Sequence, residues 1–138
     1  MKQMNTNIRG QGNHGLTVIE LSLTLALMLA FASITITSVN GLKNWKLARI
    51  AGEEVRAVYL AQKSYLADHP TVKVADITST QLVPYLPGGR TAIPTVLSLE
   101  GESLGIDINV MPPLVTASAG PYDPSGSPSD SLWDAGRQ

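Results

Sequence analysis

The 138-residue chain carries ten Lys and Arg against eleven Asp and Glu, a formal net charge of −1, so its overall charge leaves no electrostatic footprint for nucleic acid. It has no cysteine, which excludes a disulfide framework, a Cys-based metal site and a thiol nucleophile. The length allows one small domain with appendages; apolar residues gather early in the chain, and Pro, Gly and Ser gather late.

Residues 1–15 (MKQMNTNIRGQGNHG) contain Lys2 and Arg9 and no acid. A polar, aperiodic, basic segment of this kind reads as a leader that precedes an exported or membrane helix. All eleven acids follow Gly15, with eight Lys and Arg, so a chain trimmed there would carry −3.

Leu16–Val39 is a 24-residue apolar run with one ionisable side chain, Glu20. As a helix it spans about 36 Å at 1.5 Å per residue, enough for a hydrocarbon core of about 30 Å. A carboxylate in that setting is expensive and rare, and it normally has a partner. A cut between Gly15 and Leu16 would create an α-amine at Leu16. That amine would lie at the depth of Glu20 on an adjacent helix, and each charge would offset the desolvation of the other. Two plainer readings stand beside this one. Ala30-Phe31-Ala32 forms a small-residue signal peptidase site, with Ser33 as the first mature residue. Alternatively the run is an uncleaved anchor in which the acid is incidental.

Gly15, Leu16, Thr17 and Glu20 at the head of a long apolar run, behind a short basic leader, resemble the type IV pilin and type II secretion pseudopilin family. The resemblance covers residues 9–68 best. It implies that a prepilin peptidase cleaves after Gly15 and methylates the amine of Leu16. Glu20 and Thr17 would serve filament assembly. The implied partners are identical or homologous pilin subunits, the peptidase, and an assembly platform in a bacterial inner membrane. The head would lie in the periplasm before extraction into the filament. The chain departs from the family pattern in having Leu16 where Phe is commonest, and no Pro between Leu16 and Asn40. Lys43, Lys46 and Arg49, just past the apolar run, argue against an N-terminus-in orientation by the positive-inside rule.

Leu42–Asp68 continues as an amphipathic helix, with apolar residues mostly three or four apart, from Leu47 through Val55 and Val58 to Tyr65. His69-Pro70 stops it. Asn40-Gly41 and Gly52 are expected bending points. The aromatic residues Trp45, Tyr59 and Tyr65 are expected to pack in a core, and Glu53 and Glu54 to lie solvated on an exposed face.

Residues 69–138 read as a small β head with an irregular C-terminal tail. Leu82–Leu86 is a short extended stretch before the turn Pro87-Gly88-Gly89. Thr95–Leu99 and Leu104–Val110 form a hairpin across Glu100–Ser103, with Ile106, Ile108 and Val110 on one face. Pro112-Pro113 ends its second strand, and Leu114–Ala117 supplies a third. Two or three strands cannot stand alone, so they pack on the helix that ends at Asp68. The fold class is α+β: a long N-terminal helix (residues 16–68, of which 16–39 are membrane or filament core) packed on a small antiparallel sheet. In the tail, Asp123, Ser125, Asp130 and Asp134 offer oxygen ligands to a hard cation. Calcium binding in a C-terminal loop of some major pseudopilins lends that idea support by resemblance. The plainer alternative is a solvated tail with Trp133 tucked onto the head.

The sequence contains no recognisable catalytic constellation. His14 falls in the leader and His69 at a helix end. Gly88-Gly89 lacks the Lys-Ser/Thr of a phosphate loop, and neither a Gly-x-Ser-x-Gly nor a His-Glu-x-x-His element occurs. A structural subunit is therefore expected, not an enzyme. The rival is a secreted or membrane-anchored binding domain behind an ordinary signal or anchor helix.

Overall fold

The computed structural model describes residues 17–137 apart from the side chains of residues 36 and 37, so Gly15 and Leu16 lie outside the described residues. Helix α1 runs over Val18–Asp68, 51 residues. It passes through Asn40-Gly41 and Gly52 without interruption, in contrast to the bends expected there. Glycine at these positions lowers helix propensity by about 1 kcal/mol each. That penalty is outweighed at Gly52 by burial, and Gly41 is followed by the good helix formers Leu42 and Lys43. The end at Asp68 is as expected: His69 donates its amide to Tyr65 and Pro70 offers none.

Among the described residues, those from Val39 onward form one compact unit and those before Val39 another. In the Val39–Gln138 unit α1 buries Ala48, Ala51, Val55, Val58, Tyr59, Ala61 and Tyr65. The spacing of three and four puts them on one face. Against that face lies an antiparallel sheet ordered β1 (Val96–Leu97), β2 (Ser103–Asp107), β3 (Leu114–Ala117) and β4 (Gly120–Pro121). Leu104 and Ile106 of β2 point inward while Ser103, Gly105 and Asp107 do not, the period of two that a half-buried strand requires. Val96 pairs with Leu104, and Ile106 with Val115; all four are buried, so each cross-strand pair presses on the helix.

Several expectations are corrected. Leu82–Leu86 is not extended. It joins helix α2 (Ser79–Leu82) to a 3₁₀ turn over Val83–Tyr85. The glutamine side chain of Gln81 accepts a hydrogen bond from the Thr78 amide, 3.0 Å, which starts a helix that apolar content alone does not signal. Strand β2 stops at Asp107, short of Val110, because the carbonyls of Ile108 and Val110 turn to the side chain of Gln62. Its Nε2 donates to them at 2.7 and 3.0 Å. Gln62 is fully buried on α1 and ties helix to sheet. Trp45 is half exposed, unlike Tyr59 and Tyr65. Glu54 is not solvated: it is partly buried and forms a two-pronged ion pair with Arg90, which fastens the Gly88-Gly89 turn to α1. Glu53 does lie on the exposed face, 3.4 Å from Arg49.

Candidate functional site

Thr17 precedes α1 and caps it. Its Oγ1 accepts the Glu20 amide at 3.2 Å and its carbonyl accepts the Leu21 amide at 2.9 Å. The acid of the first turn is Glu20, where the unsatisfied N–H groups and the helix dipole favour a negative charge. Thr-x-x-Glu is thus also a helix-start signature. That local role for both residues goes beyond the assembly role expected of them, and the spacing alone carries it.

From Val18 to Val39 the large apolar side chains that are described are exposed: Val18 is 84% accessible and Phe31 67%. The most apolar 18-residue stretch has a mean hydropathy of 2.0, so α1 is long and apolar enough to cross a membrane. Five hydroxyls among the described side chains of this stretch are satisfied within the helix. Ser22 and Thr24 donate to the carbonyl three residues back, and Ser33, Thr35 and Ser38 to the one four back, at 2.8–3.0 Å. An apolar environment requires that, because an unbonded hydroxyl there carries its whole desolvation penalty.

The three tail aspartates have local duties. Asp123 Oδ1 accepts the amide and hydroxyl of Ser125 at 3.1 and 2.7 Å. Asp130 Oδ1 accepts the Leu132 amide at 2.9 Å, and Asp134 Oδ1 accepts the Gly136 amide. Each closes a turn two residues ahead, which is what short acids do in loops. Asp134 is buried, and its Oδ2 has no hydrogen-bond partner. Burial first, and the neighbouring Asp130 carboxyl second, push its pKa above the ordinary aspartate value, against the pull of the Gly136 amide. Asp130 and Asp134 are therefore neighbours. Asp123 is not brought together with them as a ligand set: among the described residues no group of three or more His, Cys, Asp or Glu is placed to hold a metal ion.

Residues 124–131 of the tail are mostly exposed, and Trp133 is tucked onto the head, as the plainer reading of the sequence has it. Residues 131–136 lie directly on α1, where Gly52 leaves room. A Cβ on Gly52 would stand 2.2 Å from the Ser131 carbonyl oxygen. Ser131 and Trp133 both adopt φ of 66°, the left-handed region that L-residues rarely occupy. This turns Trp133 into the core, where its ring meets Tyr122 edge-to-face at 5.0 Å. No protein family, curated protein or solved structure matches the chain.

Proposed function

We propose that the chain is a structural subunit of a type IV pilus or a type II secretion-like pseudopilus. The observation that carries the reading is an exposed apolar helix with a single acid, Glu20, in its first turn, placed five residues after Gly15. The same helix continues into an amphipathic half that packs on a small antiparallel sheet. A prepilin peptidase cleaves after Gly15 and methylates Leu16; the new amine then pairs with Glu20 of an adjacent subunit in the inner membrane, and the head stays in the periplasm until extraction into the filament. Exposed apolar side chains from Val18 to Val39 find their cover in neighbouring helices. The reading assigns no catalytic residue.

Mass spectrometry of the mature N-terminus tests it. A methylated Leu16 is expected. Ser33 as first residue would instead place the chain among secreted proteins, and an intact Met1 among plain anchors. The plain anchor has one specific observation in its favour, the place of Glu20 in the first turn of α1, where the helix dipole favours an acid without any partner subunit.

A further inference from the structure

Between Glu20 and Glu53 the chain has no acid, and its cations there are Lys43, Lys46 and Arg49. All three lie four to ten residues past Val39 on α1 and are exposed. Two exposed apolar side chains are interleaved with them, Leu42 and Trp45, at 63% and 50% accessibility. The Arg49 guanidinium stands 5.7 Å from the Trp45 ring centroid. Glu53 answers Arg49 only through an exposed contact of 3.4 Å, a kind of pair that is weak in water.

We infer that Lys43, Trp45, Lys46 and Arg49 form a docking surface for the anionic headgroups of the bilayer that α1 enters. The inference rests on the membrane part of the proposed function and not on filament formation. At 1.5 Å per residue, Lys43 and Trp45 lie about 6 and 9 Å past Val39, and Arg49 about 15 Å. The polar layer on each side of a bilayer is about 5–8 Å deep. Side chains on a helix lean toward its N-terminus, here toward the membrane, and Lys and Arg stems reach several ångströms back to an interface. Phosphate oxygens of anionic lipids match the three cations, and the glycerol and upper chain region match Leu42 and the indole of Trp45. The run of cations that conflicts with a positive-inside count thereby has a direct use: it holds the start of the head unit to the membrane surface.

The full chain is reconstituted in vesicles of equal parts phosphatidylcholine and phosphatidylglycerol. Trp45 emission is taken as the difference between wild type and Trp45→Phe, since Trp133 is buried. Either lipid in turn carries a brominated chain as quencher. Brominated phosphatidylglycerol is expected to quench Trp45 more strongly, with an enrichment of at least about fivefold, the effect of a single cation near an anionic surface. High salt and the triple variant Lys43→Gln, Lys46→Gln, Arg49→Gln should both abolish the preference. Equal quenching by the two lipids would overturn the inference. So would a preference that survives in the triple variant. Carbodiimide cross-links in the same vesicles between Lys43 or Lys46 and Glu100 or Glu102 of another copy would also overturn it, by showing that the surface docks protein. The vesicles hold neither peptidase nor filament, so this result and the N-terminal mass succeed or fail independently.

Discussion

The backbone amide of Trp133 donates a hydrogen bond to the carbonyl oxygen of Ala48, 3.1 Å away. A loop near the chain's end thus bonds to a carbonyl in the middle of a helix. Such closeness is possible only where the helix surface is bare, and Gly52, one turn on, makes it so. Substitution of Gly52 by Ala sets two effects against each other. Helix propensity favours Ala by about 1 kcal/mol. The added methyl would meet the Ser131 carbonyl, a backbone atom that cannot swing aside, and overpacking of that kind costs about 1–3 kcal/mol. The clash outweighs the gain in propensity. Gly52→Ala is expected to lower the unfolding midpoint and shift Trp133 emission to the red as the tail lifts. A variant as stable as wild type, with unchanged emission, would contradict the packing of residues 131–136 on α1.

Asp134 should make the head less stable at neutral pH than in mild acid. Its pKa is raised by folding, so the folded state binds more protons than the unfolded state between the ordinary value of 3.8 and the folded value. Stability then falls as pH rises through that window and stays lower above it. Asp134→Asn removes the ionisation, keeps an oxygen for the Gly136 amide and adds a donor toward Asp130. Denaturant unfolding of the full chain in detergent, at several pH values between about 4 and 8, should show the variant more stable than wild type at the upper end. The gap between the two should close toward the lower end. A gap that is constant across the range would remove the titration of Asp134 as its cause.

Gln62 is the polar fastening between α1 and the sheet. Gln62→Leu fills similar space but leaves the carbonyls of Ile108 and Val110 without their donor. A buried acceptor stripped of its partner costs about 1–3 kcal/mol. In a domain of this size each kcal/mol lowers the midpoint by about 4–8 °C. Thermal unfolding followed by far-ultraviolet circular dichroism measures it. A drop smaller than about 2 °C would mean that water replaces the amide.

Glu20→Gln separates the two uses of Glu20. Gln serves at the third position of a capped helix as well as Glu does, so α1 and membrane insertion should be unaffected. The charge is gone, and with it, in the proposed assembly, the partner of the Leu16 amine. Incorporation into filaments should fall by more than about tenfold, because breaking a buried ion pair costs about 3–5 kcal/mol. Glu20→Ala should do the same. Quantitative shearing and immunoblotting reads the result. Wild-type assembly by the Gln variant would leave Glu20 as a helix-start residue alone.

The sequence by itself determined the features governed by local chemistry. The apolar run from Leu16, its lone acid, the stop at His69-Pro70 and the alternation of Leu104 and Ile106 each follow from residues within a few positions of one another. Periodicity of three and four places Val55, Val58 and Tyr65 on the buried face without knowledge of the sheet that covers it. Thr17 as a cap is also legible, from Thr-x-x-Glu, although the same residues point first to assembly. Tertiary structure decided what depends on partners distant in the chain. Glu54 reads as a surface acid until Arg90 arrives 36 residues later. Gln62 reads as polar helix content until two carbonyls 46 and 48 residues away need a donor. Gly52 reads as a weak point in a helix, and its purpose is visible only once Ser131 lies on it. Composition makes the tail look solvated, because Pro, Gly, Ser and Asp are loop residues; residues 124–131 are mostly exposed, and the tucked Trp133 is open to a sequence reading, but the α1 surface it meets is not. The same residues supply the turns that carry Trp133 and Ala135 into the core. Hydrophobic burial is a property of the assembled surfaces, and no window of neighbouring residues encodes which surface a loop will meet.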